Sequence, residues 1–209
     1  MAMPERLPPD PPEDEESSED AWYRGIPDQI TAKDYEDLPE DFCRTIEVID
    51  GHVVKCESAS VVHNRVARRL ATTLEQARKP EPCLVVETDI DVRIADVPLN
   101  LRRPDVTVFR CLPKDSRLCA RDAVLVVEIV SLESSFRTDT VEKKAEYAAA
   151  GIPTYLIVFL DQAGDEVELI EEYRLAGRGR YDLVGQHTKR LSLDAPISVD
   201  VLFDVLTAP

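Results

Sequence analysis

A nearly unbroken apolar segment extends from residue 123 to 131 and places the strongest limit on the possible folds. It reads Ala-Val-Leu-Val-Val-Glu-Ile-Val up to residue 130. A strand with one solvent-facing side alternates apolar and polar residues, whereas a strand covered on both faces is apolar throughout. The segment therefore predicts a central strand with other layers on both sides. Glu128 is the only charged residue within it, and a buried carboxylate needs a cation, a metal ion or hydrogen-bond donors.

The rest of the chain alternates strand patterns with helix patterns. Helices are predicted at 31–38, 60–78, 139–150 and 199–206, with caps at Thr31, Ser60 and Asp139. Further strands are predicted at 43–49, 52–57, 83–87, 90–94, 105–110, 154–160, 166–175 and 181–188. Asp50-Gly51 favours a tight turn between the first two. This order predicts an α/β fold, with a mixed central β-sheet flanked by helices and an N-terminal β-hairpin and helix.

Negative charge is concentrated near the N-terminus. Of the 41 Asp and Glu residues, 14 precede Phe42, together with only 3 of the 25 Lys and Arg residues. Residues 1–29 are also rich in proline and poor in apolar side chains, so we predict a disordered acidic tail and a folded domain over 30–209. The chain shows neither a secretory leader nor an apolar run of about 18 residues, which predicts a cytoplasmic protein without a membrane span.

Cysteine spacing indicates neither a zinc site nor a disulfide framework. The cysteines are Cys43, Cys56, Cys83, Cys111 and Cys119. An odd number without a C-x-x-C pair is typical of unpaired thiols in a reducing compartment, and this is our prediction.

Four polar residues stand out because their neighbours are apolar: Glu47, Asp105, Glu128 and Lys143. Carboxylates at the ends of neighbouring strands can share a hard cation such as Mg²⁺, which prefers oxygen ligands. A bound metal can activate water for attack on phosphorus, and a nearby lysine can stabilise charge on the phosphate. These residues together would suffice for phosphodiester hydrolysis.

Three of these residues also have a purely structural interpretation. Asp105 can open its strand with a turn hydrogen bond. Glu128 can pair with Arg102 or Arg103, and Lys143 can be a solvated helix residue.

An ordered series of motifs resembles the Uma-type restriction endonuclease family, a bacterial family of the PD-(D/E)XK superfamily. The motifs are Asp50-Gly51, His63, Arg103-Pro104-Asp105-Val106, Val127-Glu128-Ile129-Val130-Ser131, and Asp139, Lys143, Tyr147, Gly151 and Tyr155 at intervals of four. The resemblance covers about residues 31–206 and implies a restriction endonuclease-like fold. One departure is the segment Ser131-Leu132-Glu133-Ser134, where the family usually has Ser-Pro-Ser.

The resemblance also implies roles at matching positions. Asp105 and Glu128 correspond to metal ligands for Mg²⁺ or Mn²⁺, and Glu47 to an additional acid that reaches the metal directly or through water. Val130 occupies the place of the superfamily's lysine, so Lys143 resembles a catalytic lysine that has moved onto the helix. The implied substrate is DNA, and the implied assembly is a homodimer.

Further residues are candidates for binding the substrate: His63, Arg65, Arg69, Arg103, Arg137 and Tyr147. Arg68 and Arg102 are close to them in the sequence and could contribute to the same basic patch. Each of these residues also has a structural interpretation that does not involve substrate. His63 can be a hydrogen-bonded residue at the edge of a core, Tyr147 can simply pack there, and the arginines can form a solvated face that pairs with acids.

The leading hypothesis is a metal-dependent endodeoxyribonuclease. The alternative is a catalytically inactive oligomeric interaction or regulatory module of the same fold, which the net acidity favours because DNA is an anion. A further hypothesis is that the acidic tail mimics DNA and occupies the basic residues.

Overall fold

The computed structural model describes residues 25–56, 58–130, 136–177 and 179–208, without the side chains of 136–140. Its helices are α1 (Ala32–Glu36), α2 (Glu40–Cys43), α3 (Val61–Ala77), α4 (Phe136–Ala149) and α5 (Phe203–Thr207). Its strands are β1 (Ile46–Ile49), β2 (His52–Lys55), β3 (Leu84–Thr88), β4 (Val92–Asp96), β5 (Leu99–Arg102), β6 (Val106–Arg110), β7 (Ala123–Val130), β8 (Thr154–Leu160), β9 (Val167–Ala176), β10 (Arg180–His187), β11 (Arg190–Leu193) and β12 (Val199–Leu202). None of the described helices combines the length and the apolar character that crossing a membrane requires.

A six-stranded sheet in the order β10-β9-β8-β7-β6-β3 forms the centre of the molecule. Strands β7 and β8 run parallel, and the chain crosses between them through α4. The remaining neighbours in this sheet are antiparallel. The predicted mixed sheet with flanking helices is confirmed.

Strand β7 is covered on both faces, as its composition predicts. Leu125, Val127 and Ile129 belong to a core cluster that also contains α3 side chains. Val126 belongs to a second cluster, with Tyr147 of α4. Because successive strand residues point to opposite faces, Glu128 lies on the α4 side.

The N-terminal hairpin belongs to a separate four-stranded sheet, in the order β2-β1-β5-β4. Phe42, Val48 and Leu101 form part of a third apolar cluster under this sheet. The sequence prediction contained no strand at β5, although Leu99 and Leu101 alternate with Asn100 and Arg102. Polar residues at the alternate positions usually face water, but both are buried here. Ile26, within the segment assigned to the tail, packs against the same cluster.

Two predicted helix boundaries are wrong. The segment 199–206 is not one helix, because Val199–Leu202 pairs with β11 as an antiparallel strand and α5 begins at Phe203. Val199 and Val201 are buried while Asp200 and Leu202 are exposed, which is the period of a strand. Asp139 is not a cap, because α4 already begins at Phe136.

The prediction of unpaired cysteines is wrong for one pair. Cys83 and Cys111 form a disulfide with a Cα–Cα distance of 5.5 Å, and Cys43, Cys56 and Cys119 carry free thiols. Cys83 precedes β3 and Cys111 follows β6, and these strands pair so that Leu84 lies opposite Arg110. The pairing of two distant strands brings the sulfurs together, and no local spacing encodes that.

Candidate active site

Three structural layers meet at the polar residues that the sequence singles out. Glu128 extends from β7, Lys143 from α4 and Glu47 from β1, and all three are buried. Asp105 immediately precedes β6, whose Val106 pairs with Val127 of β7. Continuing that register by one residue places Asp105 opposite Glu128. The structure therefore brings together residues that are up to 96 positions apart, as the numbers of Glu47 and Lys143 show.

Lys143 lies between two carboxylates. Its Nζ is 3.2 Å from Oε2 of Glu128 and 3.3 Å from Oε1 of Glu47. The structural alternative of a solvated lysine is wrong, because Lys143 is 9% exposed. An ammonium group shared in this way links the central sheet to the N-terminal sheet.

Glu128 receives two donors from α4. The hydroxyl of Tyr147 donates to Oε1 at 2.7 Å, and Lys143 donates to Oε2. The pKa of Glu128 is raised to about 7, chiefly by burial and further by the negative charges of Asp105 and Glu47. Lys143 and the Tyr147 hydrogen bond act in the opposite direction and lower it. The structural alternative that Glu128 pairs with Arg102 or Arg103 is wrong, because Arg102 binds Glu47 and Arg103 binds Asp91.

Glu47 has donors at both carboxylate oxygens. Its Oε2 accepts from Nη1 of Arg102 at 2.9 Å, and its Oε1 accepts from the backbone N–H of Arg103 at 2.9 Å. Burial raises the pKa of Glu47, but Lys143, the Arg103 amide and Arg102 outweigh it, so the pKa lies below its ordinary value. Glu47 is therefore held as an anion.

Arg102 extends this network to α4. Its Nε donates to Oε2 of Glu146 at 2.6 Å, and Nδ2 of Asn100 donates to the other oxygen of Glu146 at 3.3 Å. Burial lowers the pKa of Arg102, but Glu146 and Glu47 outweigh this effect and raise it. The sequence interpretation missed Glu146 and Asn100 altogether. The only local signal was that Glu146 lies one helical turn after Lys143.

Asp105 is bound by the other neighbouring helix. Nε2 of His63, in the first turn of α3, is 2.7 Å from Oδ1 of Asp105, and the backbone N–H of Ile129 donates to Oδ2 at 2.6 Å. Burial lowers the pKa of His63, but the hydrogen bond and charge of Asp105 outweigh it, so the pKa lies above its ordinary value. His63 is thus hydrogen-bonded to one of the predicted metal ligands, and its predicted contact with substrate stays a prediction.

The donor set suits a hard cation in one respect. Asp105 and Glu128 are neighbouring carboxylates, and their mutual repulsion contributes to the raised pKa of Glu128. A divalent ion between them would relieve that repulsion. Within the described residues, however, no group of three or more His, Cys, Asp or Glu side chains is arranged to hold a metal ion. Two carboxylates completed by water is the composition that Mg²⁺ commonly accepts.

Comparison with known families gives the same result as the motifs. Residues 32–205 match the model of the Uma2 family, which is described as "Putative restriction endonuclease". The chain belongs to the Uma2 family. Its site lies within the matched region, because Glu47, Asp105, Glu128 and Lys143 all fall between those limits.

One solved structure supports the fold of this Uma2 family member. It is the crystal structure of a "putative nuclease belonging to DUF820" from Anabaena variabilis, with a TM-score of 0.62 and 14% identity. The similarity covers 86% of this chain and 98% of that one. Similarity at this level of identity shows a shared fold. No curated protein matches the chain.

The predicted substrate-binding arginines of this Uma2 chain are spread over several places. Nη1 of Arg65 and of Arg69 donate to the carbonyl oxygens of Thr207 and Val205, at 3.1 and 3.2 Å. Arg103 lies close to the site through its backbone, but its side chain donates to Asp91. Arg65 and Arg69 therefore hold the end of α5, and Arg103 holds the loop after β3.

Two further predictions fall outside the described residues. The side chain of Arg137 belongs to the undescribed part of α4, and so does the segment from Ser131 to Ser134. Tyr147, for which the sequence offered both substrate binding and packing, packs against Tyr155 with ring centroids 5.4 Å apart and also donates to Glu128. Its hydroxyl therefore has a part in the site that packing alone does not describe.

Proposed function

We propose that this protein is a metal-dependent endonuclease that hydrolyses phosphodiester bonds of DNA. The observation that carries the proposal is the position of Lys143, a buried lysine held against Glu128 opposite Asp105. A structural salt bridge would explain why Glu128 lies beside Lys143. It would not explain Asp105 at the start of the neighbouring strand, because the negative charge of Asp105 raises the pKa of Glu128.

Asp105 and Glu128 would hold Mg²⁺ or Mn²⁺, with Glu47 as the additional acid. The ion, when bound, would supply Lewis-acid stabilisation and lower the pKa of a water molecule. The ammonium of Lys143 places positive charge beside Glu128, where it can stabilise a phosphate oxygen or orient water. His63 holds the Asp105 carboxylate at one oxygen and so fixes its orientation. DNA as substrate is supported by the family, and a homodimer remains a prediction.

The test is cleavage of supercoiled plasmid and labelled duplex DNA by the full chain, with Mg²⁺ or Mn²⁺ present and with metal chelated. We expect Asp105→Asn, Glu128→Gln and Lys143→Met each to reduce the cleavage rate by about 100-fold or more. The first two replace a proposed metal ligand, and the third removes a positive charge that would stabilise the transition state. Glu168→Gln and Lys114→Met are matched controls, since both residues are exposed in the described structure. Cleavage that persists in all three site variants would refute the assignment.

An inactive protein of the same fold is a second candidate, and one observation favours it. Glu47 already has a donor at each oxygen, and Glu128 likewise. Acids satisfied in this way can be structural. If the wild type neither cleaves DNA nor binds Mg²⁺ or Mn²⁺ in calorimetry, while Glu128→Gln lowers the melting temperature, this second candidate is favoured.

A further inference from the structure

Arg102 is an unusual residue for the interior of a protein. It is a charged side chain with 1% exposure, and it is among the largest fully buried side chains in the described structure. Removing a guanidinium from water is costly unless charged partners and hydrogen bonds compensate for the lost hydration. Here the compensation comes from two carboxylates, Glu47 and Glu146, at 2.9 and 2.6 Å. The proposed chemistry assigns no role to Arg102, although it binds Glu47, which in turn contacts Lys143.

The two partners of Arg102 belong to different layers. Glu47 lies on β1 of the N-terminal sheet, and Glu146 lies on α4, the helix that also carries Lys143. Arg102 itself ends β5, a neighbour of β1 in that sheet. The guanidinium therefore fastens the helix to the N-terminal sheet one turn away from Lys143.

The second connection runs through Glu47. One of its oxygens accepts from Arg102, and the other accepts from the Arg103 amide and lies against Lys143. Arg102 thus determines both where Glu47 points and how much of its negative charge is neutralised. Lys143 is shared almost evenly between Glu47 and Glu128, at 3.3 and 3.2 Å. A change in the orientation of Glu47 should therefore shift that balance.

We infer that Arg102 is a positioning residue for Lys143, acting through Glu47 on one side and through Glu146 on the other. This role deepens the proposed function, because it matters for catalysis only if Lys143 is catalytic. The placement of Lys143, however, can be measured without catalysis. Without Arg102, the Glu47 carboxylate loses the donor at Oε2 that fixes its orientation, so it holds the Lys143 ammonium less rigidly. Loss of the Glu146 contact at the same time loosens the helix turn that carries the lysine.

Lysine cannot fully replace arginine here. The guanidinium uses Nη1 for Glu47 and Nε for Glu146, in a fixed planar arrangement. An ammonium has a single nitrogen at the end of a flexible chain, so it can hold one carboxylate well but not both in this geometry. Arg102→Lys keeps the charge but breaks one connection, whereas Arg102→Met breaks both. The two variants therefore separate charge from geometry.

The first measurement is trace acetylation of lysine amines by acetic anhydride in the full chain, with each site quantified by mass spectrometry. The rate at Lys143 is taken relative to the exposed Lys114 in the same sample. We expect Arg102→Met to raise this ratio several-fold, and Arg102→Lys to give an intermediate value. Arg174→Met is the matched control, because Arg174 also binds a buried acid, Glu172, through its Nε, but on β9 away from the site. We expect it to leave the ratio unchanged.

The second measurement is DNA cleavage by the same variants, with kcat and KM determined separately. A positioning role predicts a fall of roughly 10- to 100-fold in kcat for Arg102→Met with KM little changed, and partial recovery in Arg102→Lys. If the wild-type protein does not cleave DNA, the proposed function is refuted. The acetylation ratio would still show whether Arg102 positions Lys143.

Two results would overturn the inference. One is an unchanged Lys143 ratio in folded Arg102→Met. The other is an equal rise in Arg174→Met, which would indicate general loosening. If Arg102→Met does not fold, Glu146→Gln substitutes for it, because Glu146 has a more exposed side chain, 23% against 1% for Arg102. The Lys143 ratio must rise in Glu146→Gln and stay unchanged in Glu168→Gln, or the inference fails.

Discussion

At the scale of single residues, Glu128 shows how opposing effects set the state of a buried acid. Burial favours the neutral carboxyl, and so do the charges of Asp105 and Glu47, whereas Lys143 and the Tyr147 hydroxyl favour the carboxylate. The result is a pKa near 7, so small changes around this residue alter its charge at neutral pH. A functional site commonly contains groups balanced in this way.

Tyr147→Phe should destabilise the fold, because it removes the hydroxyl donor from Oε1 of Glu128 and leaves a buried acceptor without that bond. We expect a loss of about 1–3 kcal/mol in the free energy of unfolding, measured by urea denaturation. Tyr173→Phe is the control, because its hydroxyl donates to Glu171 in a less buried place. Equal losses in the two variants would contradict the importance of the Glu128 contact.

Asp34 gives a pH-dependent contribution to stability far from the site. Hydrogen bonds from the backbone and side chain of Thr31 lower the pKa of Asp34 below its ordinary value of 3.8. Its stabilising effect is therefore present above pH 3.8 and is lost as the pH falls through the lower folded-state pKa. A carboxyl ¹³C NMR titration should give a midpoint below 3.8, and a midpoint at or above that value would show that the capping box is absent in solution.

At the scale of elements, α4 matters most because one of its faces serves two sheets. Lys143, Glu146 and Tyr147 are spaced so that they lie on the same face of the helix. Tyr147 and Lys143 contact Glu128 of the central sheet, and Glu146 contacts Arg102 of the N-terminal sheet. A shift of this helix would therefore alter the geometry of both carboxylates that bind Lys143.

Helix α5 is held by α3 through arginine side chains. The final carbonyls of a helix lack intrahelical donors, and Arg65 and Arg69 supply donors to two of them. Arg65→Ala should lower the free energy of unfolding by about 1–2 kcal/mol, since a charged donor to a partly buried carbonyl is lost.

The control is Arg68→Ala on the same helix, whose side chain is exposed, and we expect a change within about 0.5 kcal/mol. Chemical denaturation compares the two variants directly. If Arg68→Ala is as destabilising as Arg65→Ala, the contact with α5 does not account for the loss.

At the scale of the whole molecule, the formal charge of −16 opposes the approach of DNA. Residues 1–24 carry eight Asp and Glu and two Arg, so a variant lacking them has a formal charge of −10. We expect this variant to bind duplex DNA more tightly than the full chain, with the difference shrinking as salt screens the repulsion. Fluorescence anisotropy at several salt concentrations measures this. Equal affinities at low salt would show that the N-terminal charge has no part in binding.

The amino-acid pattern alone was enough to predict the longer helices and strands and to mark the polar residues that need buried partners. The apolar run at 123–130 predicted a strand covered on both faces, and Ser60 marked the start of the predicted helix at 60–78, which is α3. Glu128 and Lys143 stood out for the same local reason, because polar residues in apolar surroundings need partners. Where periodicity was short or ambiguous, as in β5 and β12, the same reasoning failed.

The partners of those residues, in contrast, depend on how distant segments of the chain pack together. Arg102 and Glu47 are 55 residues apart, and His63 and Asp105 are 42 apart. The Cys83–Cys111 disulfide spans 28 residues in the same way. Such pairs depend on which strands become neighbours and in what register, and that is settled by how the whole set of apolar faces packs together. A local pattern reports that a buried charge needs a partner, but the packing of distant segments selects it.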